Sequence, residues 1–453
     1  MEEYCRKTNK NIEITDVKII PEIKNGKYSF DSYITGIKIE GIGEIILSSA
    51  SGKSSFVDYL VFEQPNPPKE GSKNNLTLMV EETKTSDKES RNTGVYQRSL
   101  KFPYADIFYP DVPKYMLYNI EGEDKRQPSN TSVFGTNMLL TQDIKILGKC
   151  NQHFKRFNDK NELIEFKNNM PAPPESNVRI MITKKDNVIE ISGRLYKNGY
   201  MGHDPNMGSL SSIAKTLRVL GWNGRIVITQ HGLKQKHVDN PKGNKFLHIA
   251  KCLKIEFEGL NFDGSHNLPE KYWHYEKKSE KIGTIFLHLL AVNNENVKSI
   301  YENHAGCERG YFYLKNGKGK ALPKNDKKGK KLNIPDLILL NNKTKEILVI
   351  EGKKSLKLKQ GLEELETYDP IEKEHIIPEY PDCSISRWIT TFGKDVYSKD
   401  LNPKVLIHLN TDGSFIINER APSWVKRLFK DNEELLKDYH ELLKNSAELV
   451  VDH

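Results

Sequence analysis

Apolar and polar positions alternate with a period of two over several short stretches, as in strands that bury one face. Residues 28–49, "YSFDSYITGIKIEGIGEIILSS", alternate in this way. "FVDYLVFE" and "LTLMVEETK" follow as further strands, the first trailed by the turn-rich "PNPPKEGSKNN" and the second by "TSDKESRNTG". Beyond the loop "NNMPAPPESN" the pattern predicts strands at "VRIMITKK", "NVIEISGRLY", "RIVITQH" and "CLKIEFEGL", with a helix over 209–220. "GTIFLHLLAVNNENVKSIYEN" reads as a helical run. "IPDLILLNNKTKEILVIEGKK" then reads as a hairpin, followed by a helix over 360–368 and a strand at "KVLIHL". The final "SWVKRLFKDNEELLKDYHELLKN" has apolar residues at helical spacing behind Ser423 as a cap. This mixture predicts an α/β (α+β) chain in three regions, 1–165, 166–280 and 281–453.

Composition narrows the class. The 453 residues are enough for two or three domains, and 37% hydrophobic with 29% charged residues fits a soluble protein. No apolar run approaches the roughly 18 residues of a membrane span, and "MEEYCRKTNKNIE" lacks a signal-peptide layout. The five cysteines (5, 150, 252, 307 and 383) are scattered without a CxxC, which argues against zinc and for a reducing cytoplasm. A net charge of +8 is a modest bias. Its distribution says more. "KNGKGKALPKNDKKGKK" holds eight lysines against Asp326 and reads as a flexible loop. Lys318, Lys320, Lys327, Lys328, Lys330 and Lys331 are therefore candidates for a phosphate backbone.

The predicted hairpin carries charge where a core strand has no use for it. Asp336 opens the first apolar run, and Glu351 and Lys353 close the second. Unpaired charges are costly to bury, so something at that place must use them. Alternation puts Glu351 and Lys353 on one face, with only the backbone of Gly352 between them. A hairpin of this length brings Asp336 beside Glu351. Two adjacent carboxylates repel unless a cation lies between them, and hard oxygen donors suit Mg²⁺. Metal, water and a basic side chain are the parts that hydrolyse a phosphodiester.

Pro335-Asp336, fourteen residues, then Glu351-Gly352-Lys353 resembles the signature of the PD-(D/E)XK nuclease superfamily, which includes most type II restriction endonucleases. The resemblance implies that Asp336, Glu351 and the Gly352 backbone bind Mg²⁺, that Mn²⁺ can substitute, and that Lys353 assists the attacking water. Many members follow with a helix carrying a glutamine that orients the core or touches phosphate. Here "LKLKQGLEELETY" supplies Gln360 and Tyr368. E-x-K occurs six times, at Glu22, Glu82, Glu123, Glu165, Glu276 and Glu351. Only Glu351 and Glu82 close an apolar strand that follows another strand near an Asp.

The second survivor predicts a second centre of Asp58, Glu82 and Lys84, with Asp58 and Glu82 as metal ligands at a separation of 24 positions. The lead-in "SASGKSS" is similar to restriction enzymes, which makes Lys53 and Ser54 candidate phosphate contacts. Gln97 stands where an auxiliary glutamine is expected. "SGKSS" is no P-loop, because the first glycine of that motif falls at Leu47. In the middle region His203, Asp204, His231 and His237 show no ligand spacing, and "TQHGLKQKHVDNPKGNK" offers Gln230 and Lys234 for base or phosphate contact. The aromatic cluster over 102–118 reads as core.

The expectation is thus two restriction-endonuclease-like mixed β-sheet cores flanked by helices, plus a central α/β region. The expected function is a Mg²⁺-dependent, site-specific endonuclease acting on double-stranded DNA, without a membrane partner. Two centres in one chain suit a monomer cutting an asymmetric site, and one centre suits a homodimer. A companion DNA methyltransferase would act separately. A structure-specific repair or recombination nuclease, and a DNA-binding protein on a degenerate nuclease fold, are the alternatives.

Overall fold

The computed structural model describes residues 1–25, 27–52, 56–84, 98–119, 130–148, 154–171, 179–197, 200–201, 204–239, 245–262, 269–275, 280–303, 311–323, 325–394 and 401–431. They divide into two units, one of Met1–Ser49 with Tyr275–His453, the other of Ala50–His274. The division differs from the three regions read from the sequence. Residues 1–49 group with the C-terminal part, and 50–165 group with the middle region.

The first unit begins with β1 (Ile12–Lys24), β2 (Lys27–Ile39) and β3 (Ile45–Ser48), an antiparallel sheet in chain order. The chain then builds the second unit. There β4 (Tyr59–Phe62), β5 (Leu76–Lys84), β6 (Lys114–Asn119) and β7 (Lys145–Gly148) lie side by side in that order. β4 runs antiparallel to β5, and β5, β6 and β7 are parallel. Parallel neighbours need crossovers. Helices α1 (Lys101–Phe108) and α2 (Asn130–Thr141) lie in them. Phe102, Tyr104, Tyr109, Tyr115 and Tyr118 are buried, so the aromatic cluster is core, as its pattern suggested. A further sheet, in the order β11-β10-β9-β8, contains β8 (Ile182–Lys185), β9 (Val188–Ser192), β10 (Arg225–Thr229) and β11 (Ile255–Phe257). Helices α3 (Asp204–Val219) and α4 (Lys245–Cys252) lie in its parallel crossovers.

The chain returns to the first unit with α5 (Ile282–Val292) and β12 (Val297–Glu302). The run expected to be one helix is therefore split. Asn294 Oδ1 accepts the Asn296 N–H at 2.9 Å, which makes a turn, and "VKSIYE" alternates as a strand does. A six-stranded sheet follows, β12-β13-β14-β15-β16-β17. Its other strands are β13 (Leu337–Asn341), β14 (Glu346–Lys354), β15 (Ser384–Gly393), β16 (Val405–Asn410) and β17 (Phe415–Ile417). Between β14 and β15 lies α6 (Leu358–Leu365), and α7 (Ser423–Asp431) closes the described chain, the rest of the expected C-terminal helix lying outside it.

Alternation decides which core each strand residue joins. Leu337, Leu339, Leu348 and Ile350 face α5 and the β1–β2 ribbon. Ile338, Leu340, Ile347 and Val349 face Leu365, Tyr368 and Ile371. Glu351 continues the second series, so it emerges against the segment that follows β14. The "flexible" lysine run is instead ordered where described. Tyr311–Tyr313 pairs with Gly319–Ala321, Asp326 Oδ1 accepts the N–H groups of Lys328 and Lys330, and Glu374 accepts that of Lys327. Its described lysines are exposed. Among the described residues no helix is long and apolar enough to cross a membrane.

Candidate active site

β13 and β14 form the predicted antiparallel hairpin, with Leu337 opposite Ile350. Asp336, one residue before, therefore falls at the level of Glu351. All three charged residues are buried, with Asp336 7%, Glu351 6% and Lys353 5% exposed. They persist there because each is paired. The Gly352 N–H donates to Asp336 Oδ2 at 3.1 Å, and Lys281 Nζ holds Asp336 Oδ1 at 3.1 Å. Lys353 Nζ donates to Glu351 Oε1 and lies 2.8 Å from Glu364 Oε2, while the Tyr368 hydroxyl donates to Glu351 Oε2. Gly352 has a steric reason to be glycine, since a Cβ there would meet the Glu280 carbonyl oxygen at 2.6 Å and Asp336 Oδ2 at 3.2 Å.

The electrostatics follow from this packing. Burial, and then the nearby Asp336 carboxylate, push Glu351 up to about 7. Burial pulls the Lys353 ammonium down, but Glu351 and Glu364 outweigh it and hold it above its ordinary value. Burial and the Glu351 charge push the Tyr368 hydroxyl up as well. The site thus holds two facing carboxylates, one of them reluctant to ionise, beside a firmly protonated amine.

Sequence reasoning missed Lys281, Glu364 and Tyr368's bond to Glu351. Glu364 had a signal: Gly361, Leu365 and Tyr368 mark the face of α6 turned to the sheet, and Glu364 lies on it. Lys281 had none, since it comes from the start of α5 and reaches Asp336 only through the fold. Gln360, named as auxiliary, is exposed and donates to Glu364 Oε1 at 2.8 Å, so it touches the centre only through Glu364.

In the second unit Asp58 is brought to Glu81, not to Glu82. Tyr59 lies opposite Val80, which sets Asp58 at the level of Glu81. Lys101 Nζ spans Asp58 Oδ1 at 3.0 Å and Glu81 Oε2 at 2.7 Å, and Arg98 Nη1 spans Asp58 Oδ2 at 3.2 Å and Glu81 Oε1 at 2.6 Å. Glu82 points to the other face, where it accepts the Tyr59 hydroxyl at 2.9 Å. Lys84 ends β5, and its side chain lies outside the described residues. Lys53, Ser54 and Gln97 lie outside them as well. Burial, partly offset by Lys101, pushes Glu81 up to about 7.

Elsewhere, His231 is structural: its Nε2 meets the Glu258 carbonyl at 2.9 Å and its Nδ1 accepts the Leu233 N–H at 2.9 Å. Gln230 and Lys234 are exposed on the loop after β10. His203 lies outside the described residues.

Whether a divalent ion suits the Asp336 site is a question of donor chemistry. Among the described residues no group of three or more His, Cys, Asp or Glu side chains is arranged to hold a metal. Asp336 and Glu351 nonetheless offer hard, anionic oxygens whose mutual repulsion a cation relieves. Asn303 donates its backbone N–H to the Asp336 carbonyl at 2.9 Å, and its side-chain oxygen is buried with no hydrogen-bond partner among the described residues. The Asp336 and Glu351 oxygens are of the kind Mg²⁺ or Mn²⁺ takes, and in this structure each accepts from a group of the chain itself. Comparisons with protein-family models, with curated proteins and with solved structures found no match.

Proposed function

We propose that the chain is a Mg²⁺-dependent endonuclease that hydrolyses phosphodiester bonds of double-stranded DNA at a specific sequence, in the manner of a type II restriction enzyme. The observation that supports this reading best is the convergence of Asp336, Glu351 and Lys353, buried together at the end of a hairpin. Buried, adjacent carboxylates with a raised pKa beside an amine are the kind of cluster that functional sites carry.

Asp336, Glu351 and the Gly352 backbone would hold the metal. When bound, the ion neutralises charge on the phosphate and lowers the pKa of a water. The chain's own groups do the rest. Lys353, held protonated by Glu351 and Glu364, is a donor rather than a base. It orients the attacking water and offsets the charge that builds on the phosphate oxygens. Tyr368 and Glu364 fix the Glu351 and Lys353 side chains, and Lys281 fixes Asp336. In the hydrolysis a water oxygen bonds to phosphorus, one P–O ester bond breaks, and the water's proton ends on the released alcohol.

The exposed Lys318, Lys320, Lys327, Lys328, Lys330 and Lys331 immediately precede Asp336 in the chain and would grip phosphates. Gln230 and Lys234 would do so from the second unit. The test is incubation of supercoiled plasmid carrying long random inserts with the protein in Mg²⁺, Mn²⁺ or EDTA, beside Asp336→Ala. Discrete fragments that need the metal and Asp336 support the reading. Intact plasmid with either metal sinks it.

A further inference from the structure

The helix Lys160–Asn169, in the second unit, buries a cation that no described carboxylate answers. Asp159 caps its start by accepting the Asn161 and Glu162 N–H groups. Leu163 and Lys167, four residues apart, form its buried face. Lys167 stands in the last turn and is only 8% exposed. Its amine lies 5.9 Å from the centre of the Phe134 ring, and among the described residues it makes no hydrogen bond or ion pair. The acids of the same helix do not serve it. Glu162 pairs with Lys155 at 2.8 Å, and Glu165 is exposed.

A second cation crowds it. Arg179 turns its Nη2 onto the Asn168 and Met170 carbonyls, so its guanidinium sits at the end of the same helix. The surroundings are fixed. The Ser192 hydroxyl donates to the Arg179 carbonyl at 2.9 Å, and the Asn168 side chain bonds the N–H and the carbonyl of Ile182 at 2.9 and 2.7 Å. Arg179 Nε is buried without a hydrogen-bond partner, and no acid among the described residues pairs with the guanidinium. Burial, and then the Arg179 charge, pull the Lys167 ammonium down to about 8. The helix dipole and the Phe134 face favour a positive charge here, but by less than burying an unpaired one costs. An apolar residue at 167 would fill that face without the charge.

We propose that Lys167 and Arg179 form a binding site for a phosphate monoester group, whose charge matches the two cations. The choice of anion follows from charge and donors. Lys167 brings a point donor, and Arg179, once Nη2 is spent on the helix carbonyls, keeps Nη1 and Nε without partners among the described residues. A phosphate monoester has oxygens enough for both cations and carries about −1.5 to −2 at neutral pH. A carboxylate or a backbone phosphodiester carries one charge and leaves one cation over. The attraction comes from the side chains alone, since this end of the helix is its negative one. The group belongs either to a small phosphorylated molecule or to the 5′ end of a nucleic acid. The site lies in the second unit and does not depend on the reading of the Asp336 centre.

The test compares the full chain with Lys167→Met, in EDTA so that no metal-dependent cleavage intervenes. Methionine keeps the packed stem and removes only the unpaired charge, so in chloride the variant should unfold at the wild-type temperature or above it. Inorganic phosphate should raise the wild-type midpoint with the logarithm of its concentration and leave Lys167→Met with the general salt effect alone. Titration calorimetry should find one phosphate per wild-type chain, bound at least about tenfold more weakly by the variant. Competition then names the source. Displacement of the phosphate by a 5′-phosphorylated oligonucleotide, and not by its unphosphorylated twin, assigns the site to a nucleic-acid end. Displacement by glycerol phosphate and by neither oligonucleotide assigns it to a small molecule. A wild type that binds no phosphate, a Lys167→Met protein that binds it equally, or equal displacement by the unphosphorylated oligonucleotide overturns the proposal, and each of these leaves the Asp336 reading standing.

Discussion

In one unit Lys353 reaches Glu351 from two residues along the same strand, while in the other Lys101 reaches Glu81 from the helix that follows. Around Asp336 and Glu351 each carboxylate has its own amine, Lys281 for one and Lys353 for the other. Around Asp58 and Glu81 each cation spans both acids. The backbone plan is shared, so the contrast isolates what side chains add. Separate amines give each carboxylate a partner of its own. Shared cations tie the two carboxylates to each other as well as to α1.

The strongest way to break this comparison is to remove one amine from each. Lys353→Met leaves Glu351 buried beside Asp336 with only the Tyr368 hydroxyl, and should cost about 3–5 kcal/mol in urea unfolding. Added Mg²⁺ should recover part of that loss by replacing the missing positive charge. Lys101→Met leaves Arg98 on both acids, so its cost should be smaller, about 1–2 kcal/mol. Equal costs would show that shared and separate cations do not differ in kind.

The residue between the Glu and the next inward position gives a sharper contrast. Gly352→Ala drives a Cβ against the Glu280 carbonyl and Asp336, which should cost about 1–3 kcal/mol and lower cleavage through displacement of Asp336. At the equivalent Glu82 a side chain is already accommodated. Glu82→Ala loses the Tyr59 hydrogen bond without a steric clash, so it should cost about 1 kcal/mol and leave cleavage near wild type. Thermal unfolding with plasmid assays on both variants decides it.

A third, smaller effect is in pH. Glu351 and Glu81 both rise from 4.5 to about 7. A carboxyl raised in the folded state favours folding while protonated. That contribution is complete below about 4.5 and disappears as pH rises through about 7. Metal-free protein should accordingly lose stability across that window, and Glu351→Gln and Glu81→Gln should each flatten part of the fall. In DNA-free protein Mg²⁺ should flatten the Glu351 share alone, and a Tm–pH series reads this directly. Smallest of all, Gln360→Ala should change stability by no more than about 0.5 kcal/mol, because Gln360 is exposed and bonded only through Glu364.

The Asp336 motif was legible because its residues bracket two apolar runs joined by one short turn, and a hairpin's register follows from its length. The second motif was legible only in outline. Two consecutive glutamates satisfy alternation equally well, and nothing local tells which one faces Asp58. The pairing of Tyr59 with Val80, across the connection over 63–75, decides for Glu81. Lys101, Arg98 and Lys281 were illegible for another reason: each arrives from a different element, and amines on helices are everywhere in a chain this rich in lysine. The grouping of residues 1–49 with the C-terminal half left no local trace either, since strand pattern does not name a distant partner.

That last grouping has a consequence for synthesis. The Tyr28 N–H bonds the Gly413 carbonyl at 2.6 Å, and Lys27 pairs with Asp412, 385 residues away. A side chain at Gly413 would strike the Tyr28 carbonyl at 2.1 Å, so the two segments meet closely. On a ribosome adding about 5–20 residues per second, the first strands emerge some tens of seconds before their partner exists. Ala50–His274, unbroken in the chain, has all its own contacts available during that wait. Residues 1–49 can therefore meet their partners near Asp412 only after the whole of Ala50–His274 has been made.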